Sequence, residues 1–579
     1  MTAAFGQPPK ACPDAPSTPP WRAWWGWGWR FGLAFLVLNT LLTFENREPG
    51  FGVVWMPRLS FELCVGVALL SVWVAWRGQV STRLTLALAG LMVLLAAVRY
   101  ADVTAPAVMG RPVNLYWDGQ HALELLRVAV ASWSGERVAL VCLALLAGLL
   151  TLLCVARWAV ALLGRALHWA PPRPWLLAAA GALTVSFAAY VPDVRDTRWF
   201  FSLPLTPTIT NQATLLAQVL RPGRGEAALG PGPAFDGDLG ALRGPQRAAD
   251  VVVVFAESYG AITFDDPLQA EALAASRLRL QQAIDHSGRA VVSARVRAAT
   301  FGGASWLSHA SLLSGVDASD PGQYNLLLAS DRPTLVTHFA RHGYRTVGWM
   351  PGIKRPWPEG RFYGFDRLAD DPRLGYVGPD FGYWRVPDQV SMALLHEQEL
   401  DPPNPSRQPV FAVFPTVNTH APFQPLPPLL DPAVRLTAAD AFVPARTAGG
   451  QRSEDPSPVR RYLDSMDYQH DWLAGHLGAR APRDLVLVVV GDHQPPALVS
   501  GRGTAWDVPV HVIASDAALL RRFEALGFVP GLNPPADTLG PMHELTQRLL
   551  LAFDGQTAID LRSVHGSLRG SVPGPESPS

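Results

Sequence analysis

The stretch FGGASWLSHASLLSG, residues 301–315, sets two glycines ahead of Ser305 and a helix-forming run behind it. In such a helix Ser305 and His309, four residues apart, share one face. The hydroxyl then sits at a helix N-terminus, where unpaired backbone N–H groups and the positive end of the dipole favour an anion such as phosphate. A serine after glycines is, by itself, an ordinary N-cap. Two further stretches weigh against so plain a role. VVVVFAESYG (251–260) is an apolar run ending in Glu257, and LVLVVVGDHQ (485–494) is another ending in Asp492 and His493. Two buried-type strands delivering Glu, Asp and His beside a helix-capping serine predict a metal-assisted nucleophile site.

Around these stretches, from Val251 to about Leu561, strand-like runs alternate with helical ones. They are VVVVFA, the Ser305 helix, TVGWM (346–350), VFAVFPTV (410–417), a helix near 459–477, LVLVVV and VPVHVI (508–513). Continuous apolar strands alternating with helices predict a doubly wound, mostly parallel α/β sheet. Ligands of such sheets bind beyond the carboxyl ends of the strands, where Glu257, Asp492 and His493 can converge. Two carboxylates and one imidazole suit one divalent ion, Mn²⁺, Zn²⁺ or Mg²⁺. Such an ion lowers the pKa of a serine hydroxyl and neutralises charge on a phosphoryl group.

The 579 residues exceed one ordinary domain. With 49% hydrophobic and only 17% charged residues, 20 Trp and a mean hydropathy of +0.13, the chain has the composition of a membrane protein. Net charge is zero, which gives no footing for nucleic-acid binding. Cys12, Cys64, Cys142 and Cys154 all lie in the first third, three of them inside apolar runs, as small core residues do. Residues 1–20 are Pro-rich and expected to be disordered, without a cleavable signal pattern. Trp21, Trp24, Trp25, Trp27 and Trp29 then crowd together as in an interfacial aromatic belt.

Apolar runs follow at 29–45, 61–77, 84–103, 138–164 and 174–190, each near the ~20 residues of a spanning helix. This predicts a five-helix transmembrane N-terminal domain over 21–190. Lys10, Arg22 and Arg30 in the N-terminal tail, Arg77 and Arg83, and then Arg157, Arg165 and Arg173 give basic segments with few or no acids. The intervening loops mix signs. The N-terminus is therefore expected in the cytoplasm and everything after Tyr190 outside, in the periplasm or beyond the cell. HALELLRVAVASW (121–133) reads as an interfacial helix. Residues 191–249 read as a juxtamembrane segment and linker, 250–565 as the catalytic domain with a surface insertion at 424–460, and 566–579 as a disordered tail.

The motifs of 250–560 resemble those of the alkaline phosphatase superfamily, in the branch that holds sulfatases, lipoteichoic acid synthases and phosphoethanolamine transferases. The five preceding spans resemble the layout of the lipoteichoic acid synthases. SWLSHASLLSG (305–315) is similar to the sulfatase signature, with Ser305 on the nucleophile, but Leu307 and His309 replace its Pro and Arg. That departure implies an unmodified hydroxyl nucleophile rather than formylglycine. FAESYG and GDH resemble the family's metal stretches, which implies one divalent ion, Mn²⁺ ahead of Zn²⁺ or Mg²⁺, on Glu257, Asp492, His493 and the Ser305 oxygen. VNTHAPF (417–423) and GIKRPWPEGRFYGFD (352–366) resemble substrate segments, which implies that His420, Trp357 and Arg361, together with His309, contact the head group. Singly, Trp357 reads equally well as a packing residue, whereas for His420 the head-group reading is the better one. YLDSMDYQH (462–470) resembles a family helix from which Asp464 and His470 depart. The catalytic domain lacks cysteine, unlike the disulfide-bonded phosphoethanolamine transferases, and Ser305 stands where both transferase groups carry Thr.

The resemblance implies transfer of a phosphoglycerol-type head group from a membrane phospholipid to an extracytoplasmic glycan or lipid acceptor. Phosphoethanolamine transfer and sulfatase- or phosphodiesterase-type hydrolysis are the alternatives. A catalytically dead, membrane-tethered binding protein is disfavoured by the intact Glu257, Ser305, Asp492 and His493.

Overall fold

The computed structural model describes residues 20–47, 50–109, 133–169, 171–188, 201–220, 229–244, 248–354, 357–382, 384–401, 407–433, 435–442, 457–479 and 484–555, with isolated positions between 113 and 130. Residues 1–19 and 566–579, expected to be disordered, and most of the 121–133 segment lie outside the described residues. The chain divides into two units, the first comprising 1–47, 52–103 and 135–211, the second 48–51, 104–134 and 212–579.

Five helices hold most of the apolar runs of the N-terminal part: α1 (Pro20–Thr40), α2 (Phe61–Arg77), α3 (Thr82–Met109), α4 (Gly135–His168) and α5 (Arg173–Ala188), with the end of the first run, 41–45, beyond α1 and the last two residues of the fifth, 189–190, outside the described residues. Two of them, α3 and α4, are long and apolar enough to cross a membrane. The α2 and α5 helices, at 17 and 16 residues, fall short of the ~20 that a span needs. The first half of α4 presents Leu140, Leu143, Leu146, Leu149 and Leu150 outward, a surface that water does not favour. Ser60 caps α2 by accepting from the Leu63 N–H at 3.2 Å. The guanidinium of Arg99 on α3 is buried, and it pairs with Glu45 at 2.6 Å and Asp102 at 3.3 Å, as a buried charge requires.

The second unit is built on an eight-stranded sheet. Its strands are β1 (Asp250–Ala256), β2 (Ala290–Arg297), β3 (Arg345–Met350), β4 (Arg367–Asp370), β5 (Val410–Pro415), β6 (Leu485–Gly491), β7 (Asp507–Ala514) and β8 (Val529–Pro530), in the order β8-β2-β7-β6-β1-β5-β3-β4. Val251, Val253 and Phe255 pack into the core on one face, and Val252, Val254 and Ala256 into the core on the other. Two covered faces explain the uninterrupted apolar runs. One face takes Leu312 and Leu313 of α6 (Ser305–Ser314) with Leu545 and Leu549 of a later helix, and the other takes Tyr462, Met466 and Trp472 of α7 (Pro458–Ala479).

The pairings β6–β1, β1–β5, β5–β3 and β3–β4 are parallel. At the other edge β7 runs antiparallel to β6 and β2, and β8 antiparallel to β2. The sheet is thus mostly parallel, and VPVHVI, like the short β8, runs against the other strands, where the sequence pattern predicts parallel pairing. The sequence reading also passed over β2, because Ser293 and Arg295 interrupt its apolar pattern. Both are buried with partners at hand: the Ser293 hydroxyl donates to the Gly531 carbonyl at 2.5 Å, and one terminal nitrogen of Arg295 pairs with Asp265 at 2.8 Å.

Candidate active site

Register brings the acidic strand ends together. Gly491 of β6 lies opposite Ala256 of β1 in a parallel ladder, so the next residues, Asp492 and Glu257, emerge side by side. No side chain fits at Gly491, where a Cβ would come within 2.0 Å of the Tyr259 carbonyl oxygen. The neighbouring β5 delivers Thr416 to His420 at the same end.

Glu257, Asp492 and His493 are buried, and one ligand-type atom from each lies within 4.8 Å of the others. One oxygen of Asp492 accepts backbone N–H groups from Ser258 at 2.8 Å and His493 at 2.7 Å. His493 Nδ1 sits 2.8 Å from the Gln494 carbonyl, which can only accept, so Nδ1 carries the hydrogen and Nε2 presents its lone pair. That lone pair points at Ser305 Oγ, 3.1 Å away, with Glu257 Oε1 at 3.5 Å. Ser305 Oγ also lies 3.0 Å from Glu257 Oε2.

Ser305 is the first residue of α6 and not its cap. Ala304 precedes it in the left-handed region (φ 61°), reached through Gly302 (φ 63°) and Gly303 (φ 141°), and no side chain caps the helix. The hydroxyl is thereby withdrawn from capping and turned into the Glu257–His493 cluster. One turn on, the ring of His309 lies 4.2 Å from that of Phe255, and its Nε2 is buried without a protein partner.

The electrostatics show a site short of positive charge. Burial pushes the Asp492 carboxyl well above the usual range, and the charge of Glu257 pushes it further. Burial would raise Glu257 as well, but the positive charge that His420 and His493 carry when protonated, with hydrogen bonds from Asp492 and Ser258, brings it down to about 2. Burial pushes His309 down to about 3, so its ring stays neutral. Two buried carboxyl groups and an imidazole lone pair facing one another hold a single proton between the acids, and a divalent cation fits in its place. The donor set passes this test of fit, with Glu257, Asp492, His493 and Ser305 Oγ as the groups that would hold the ion.

A clamp absent from the sequence reading fixes Glu257. Its N–H donates to Thr416 Oγ1 at 2.9 Å, and its carbonyl accepts from Thr419 Oγ1 at 2.5 Å. Gln469 of α7 accepts from Thr416 at 3.3 Å and from Thr419 at 3.4 Å. Ser258 follows in a left-handed conformation (φ 56°), held by the Tyr462 hydroxyl, which donates to its carbonyl at 2.8 Å. Neither Asp464 nor His470 joins the clamp: Asp464 pairs with Arg460 at 2.9 Å, and His470 bonds Ser276 at 3.0 Å.

His420 follows Thr419 and so stands beside Glu257. Its Nδ1 faces the Ala421 carbonyl at 2.6 Å, which leaves Nε2 as the lone-pair nitrogen. Trp384 meets the His420 ring edge-on at 5.0 Å, and Lys354 Nζ stands 5.9 Å from the centre of the Trp384 ring. The Trp357 ring lies against Gly360 and 5.6 Å from that of Tyr363, and Arg361 is exposed. Among the described residues, the structure thus sets Trp384 next to His420, with Lys354 against Trp384. Sequence held one signal for Trp384: a lone tryptophan between two Gly/Pro-rich turns.

Asp388 supports this wall from below. Its carboxylate accepts the N–H groups of Val417 and Asn418, both at 2.8 Å, and its own N–H donates to Asn418 Oδ1 at 2.7 Å. Burial, with the charge of Glu257, raises it to about 7 from an ordinary 3.8, against the pull of the two N–H donors. The native state therefore holds this proton more tightly than the unfolded chain. The resulting stability is fully present below about pH 4 and is lost as pH rises through 7. Asp388→Ala, which orphans two buried N–H groups, should cost about 2–4 kcal/mol. Thermal melting of the detergent-solubilised chain should show the wild type losing more stability than Asp388→Asn between about pH 5 and about pH 8. Parallel slopes would contradict the assignment.

Residues 249–511 match the sulfatase family. Solved structures similar to this chain include an alkaline phosphatase superfamily protein from Vibrio parahaemolyticus, at 14% identity over 59% of this chain and 75% of that one, with a TM-score of 0.36. The lipoteichoic acid synthase LtaP from Listeria monocytogenes is similar at 15% identity over 50% and 70%, with a TM-score of 0.30. The phosphoglycerol transferase GacH from Streptococcus pyogenes, solved in complex with sn-glycerol-1-phosphate, is similar at 11% identity over 55% and 84%, with a TM-score of 0.32. Among curated proteins no sequence matches this chain.

Proposed function

We propose that the chain is a membrane-anchored phosphotransferase, a reading supported by the match of residues 249–511 to the sulfatase family. It moves a phosphoglycerol-type head group from a phospholipid to an extracytoplasmic glycan or lipid acceptor through a covalent Ser305 intermediate. The observation that carries this reading is the Ser305 hydroxyl, turned away from capping and set 3.0 Å from Glu257 and 3.1 Å from His493. Enzymes of this superfamily use a divalent metal, and the buried Glu257–Asp492–His493 cluster could hold one. The mixed oxygen and nitrogen donors favour Mn²⁺, with Zn²⁺ or Mg²⁺ as alternatives. When bound, the ion supplies the positive charge that lowers the hydroxyl pKa and offsets phosphoryl charge.

Ser305 Oγ attacks phosphorus, forming a glycerophosphoserine diester as the bond to the diacylglycerol oxygen breaks, and that departing oxygen leaves with the serine proton. The acceptor hydroxyl later displaces the serine oxygen, which takes up the acceptor's proton. The N-terminus of α6 presents backbone N–H groups toward the charge that develops. His309, neutral and one turn away, and His420, with Nε2 exposed to the site, contact the bound head group, with Trp357 and Arg361 further out.

The N-terminal helices bear on the donor. We take all five as spans, with 191–579 outside, because each apolar run is largely helical and the acid-poor basic segments alternate. Tethering a site to the bilayer raises its effective concentration of lipid head groups far above that of soluble esters. Fusions after Tyr190 should be active only for a reporter that works outside the cytoplasm, and activity of a cytoplasmic reporter there would overturn the topology.

The function is tested by offering phosphatidylglycerol or phosphatidylethanolamine alone and detecting diacylglycerol by thin-layer chromatography. Release from phosphatidylglycerol, with a clear loss on His420→Ala, is expected. Turnover of phosphatidylethanolamine only, or cleavage of aryl sulfate with both lipids untouched, would reject the reading.

A further inference from the structure

The segments around His420 are tied together in a way that fixes a cation beside Trp384, the ring that meets His420. Asp371 donates its N–H to the Ile353 carbonyl at 2.9 Å and accepts the Arg385 guanidinium at 2.5 and 2.9 Å, which couples the Lys354 turn to the Trp384 turn. Gly352 lets them close: a Cβ there would lie 3.3 Å from Val417 and 3.4 Å from the Trp384 ring. Asp388, four residues after Trp384, binds the N–H groups of Val417 and Asn418 and so couples the Trp384 turn to the His420 loop. Three segments distant in sequence are thus locked into the series Lys354, Trp384, His420, leading toward Glu257.

A tryptophan face beside a head-group site would ordinarily receive an ammonium ion. Here the protein's own ammonium, Lys354 Nζ, stands 5.9 Å from that ring. We propose that Lys354 and Trp384 are specificity-determining residues that reject ammonium head groups and admit neutral polyol ones. Like charges repel, so a second ammonium at this wall meets Lys354, whereas a glycerol unit presents hydroxyls to His420 Nε2 and an apolar edge to Trp384. The inference deepens the reading above and rests on it in one respect, that the Ser305 site takes a phosphorylated head group.

The probes are the soluble head groups glycerol 1-phosphate and phosphoethanolamine, titrated calorimetrically into the full-length, metal-loaded chain in detergent. Binding needs neither lipid nor acceptor, so its outcome is separate from that of the diacylglycerol assay. Wild type should bind glycerol 1-phosphate at least ~10-fold more tightly than phosphoethanolamine. Lys354→Met, which keeps the length of the side chain and removes its charge, should shrink that ratio ~5-fold or more, chiefly by tightening phosphoethanolamine. Trp384→Leu should weaken glycerol 1-phosphate and leave the metal content unchanged. Equal binding of the two probes by wild type, binding of neither, or a ratio unmoved by Lys354→Met would overturn the proposal.

Discussion

Ser305→Ala is expected to lower turnover by roughly three orders of magnitude or more, the loss seen when a nucleophile that works as part of a unit is removed. The reason lies in how little else at the site can replace it. The hydroxyl occupies the one position that faces Glu257 Oε2 at 3.0 Å and His493 Nε2 at 3.1 Å, at the start of α6. The unusual backbone of Gly302, Gly303 and Ala304 places it there, so alanine at 305 leaves that geometry untouched. The variant should fold and bind metal, and only the group that accepts phosphorus is gone. Ser305→Thr should retain part of the activity, since the hydroxyl is kept and only a methyl is added. Near-normal turnover by a folded Ser305→Ala would remove Ser305 from the chemistry.

Glu257→Ala and Asp492→Ala are expected to lose bound metal, and activity with it. Both carboxyl groups are buried, and burial together with the charge of Glu257 raises Asp492, which a cation between them would relieve. Removing either one leaves one anionic ligand with His493, which is too few to hold a divalent ion against water and chelators. Metal content measured by elemental analysis should fall to background in both variants, and EDTA should abolish wild-type activity, with Mn²⁺ restoring it. Asp492→Ala also orphans the N–H groups of Ser258 and His493, so its melting temperature should fall more than that of Glu257→Ala. Unchanged metal content in one of the variants would strike that residue from the ligand set.

The parts of the fold legible in sequence are those where one local rule dominates. The β1 and β6 strands announce themselves because both faces of each are covered, which leaves VVVVFA and LVLVVV without a polar break. Glu257, Asp492, His493 and Ser305 stand out because each follows such a run or a glycine pair directly. The direction of β7 was not legible, since antiparallel and parallel strands of a buried sheet have the same apolar pattern. The β2 strand was hidden by Ser293 and Arg295, whose partners Gly531 and Asp265 are far off in sequence.

The remainder of the site was hidden for the same reason. Asp388, Gln469 and Tyr462 act on Val417, Thr416, Thr419 and Ser258 through single hydrogen bonds that no spacing encodes. Trp357 was singled out by its neighbours in sequence. The tryptophan beside His420, Trp384, is brought there by Asp371–Arg385 and by Asp388. The N-terminal apolar helices were legible as such, and α3 and α4 are the two that are long and apolar enough to cross a membrane.

The central claim is that Ser305 carries the head-group phosphate between donor and acceptor. It is tested most directly by incubating the metal-loaded chain with phosphatidylglycerol labelled in the glycerol head group, without acceptor, and sequencing the labelled peptide by mass spectrometry. The account predicts phosphoglycerol on an otherwise unmodified Ser305, no adduct in Ser305→Ala, and an equivalent amount of diacylglycerol released. Diacylglycerol release with Ser305 bare, or a formylglycine at position 305, would contradict it.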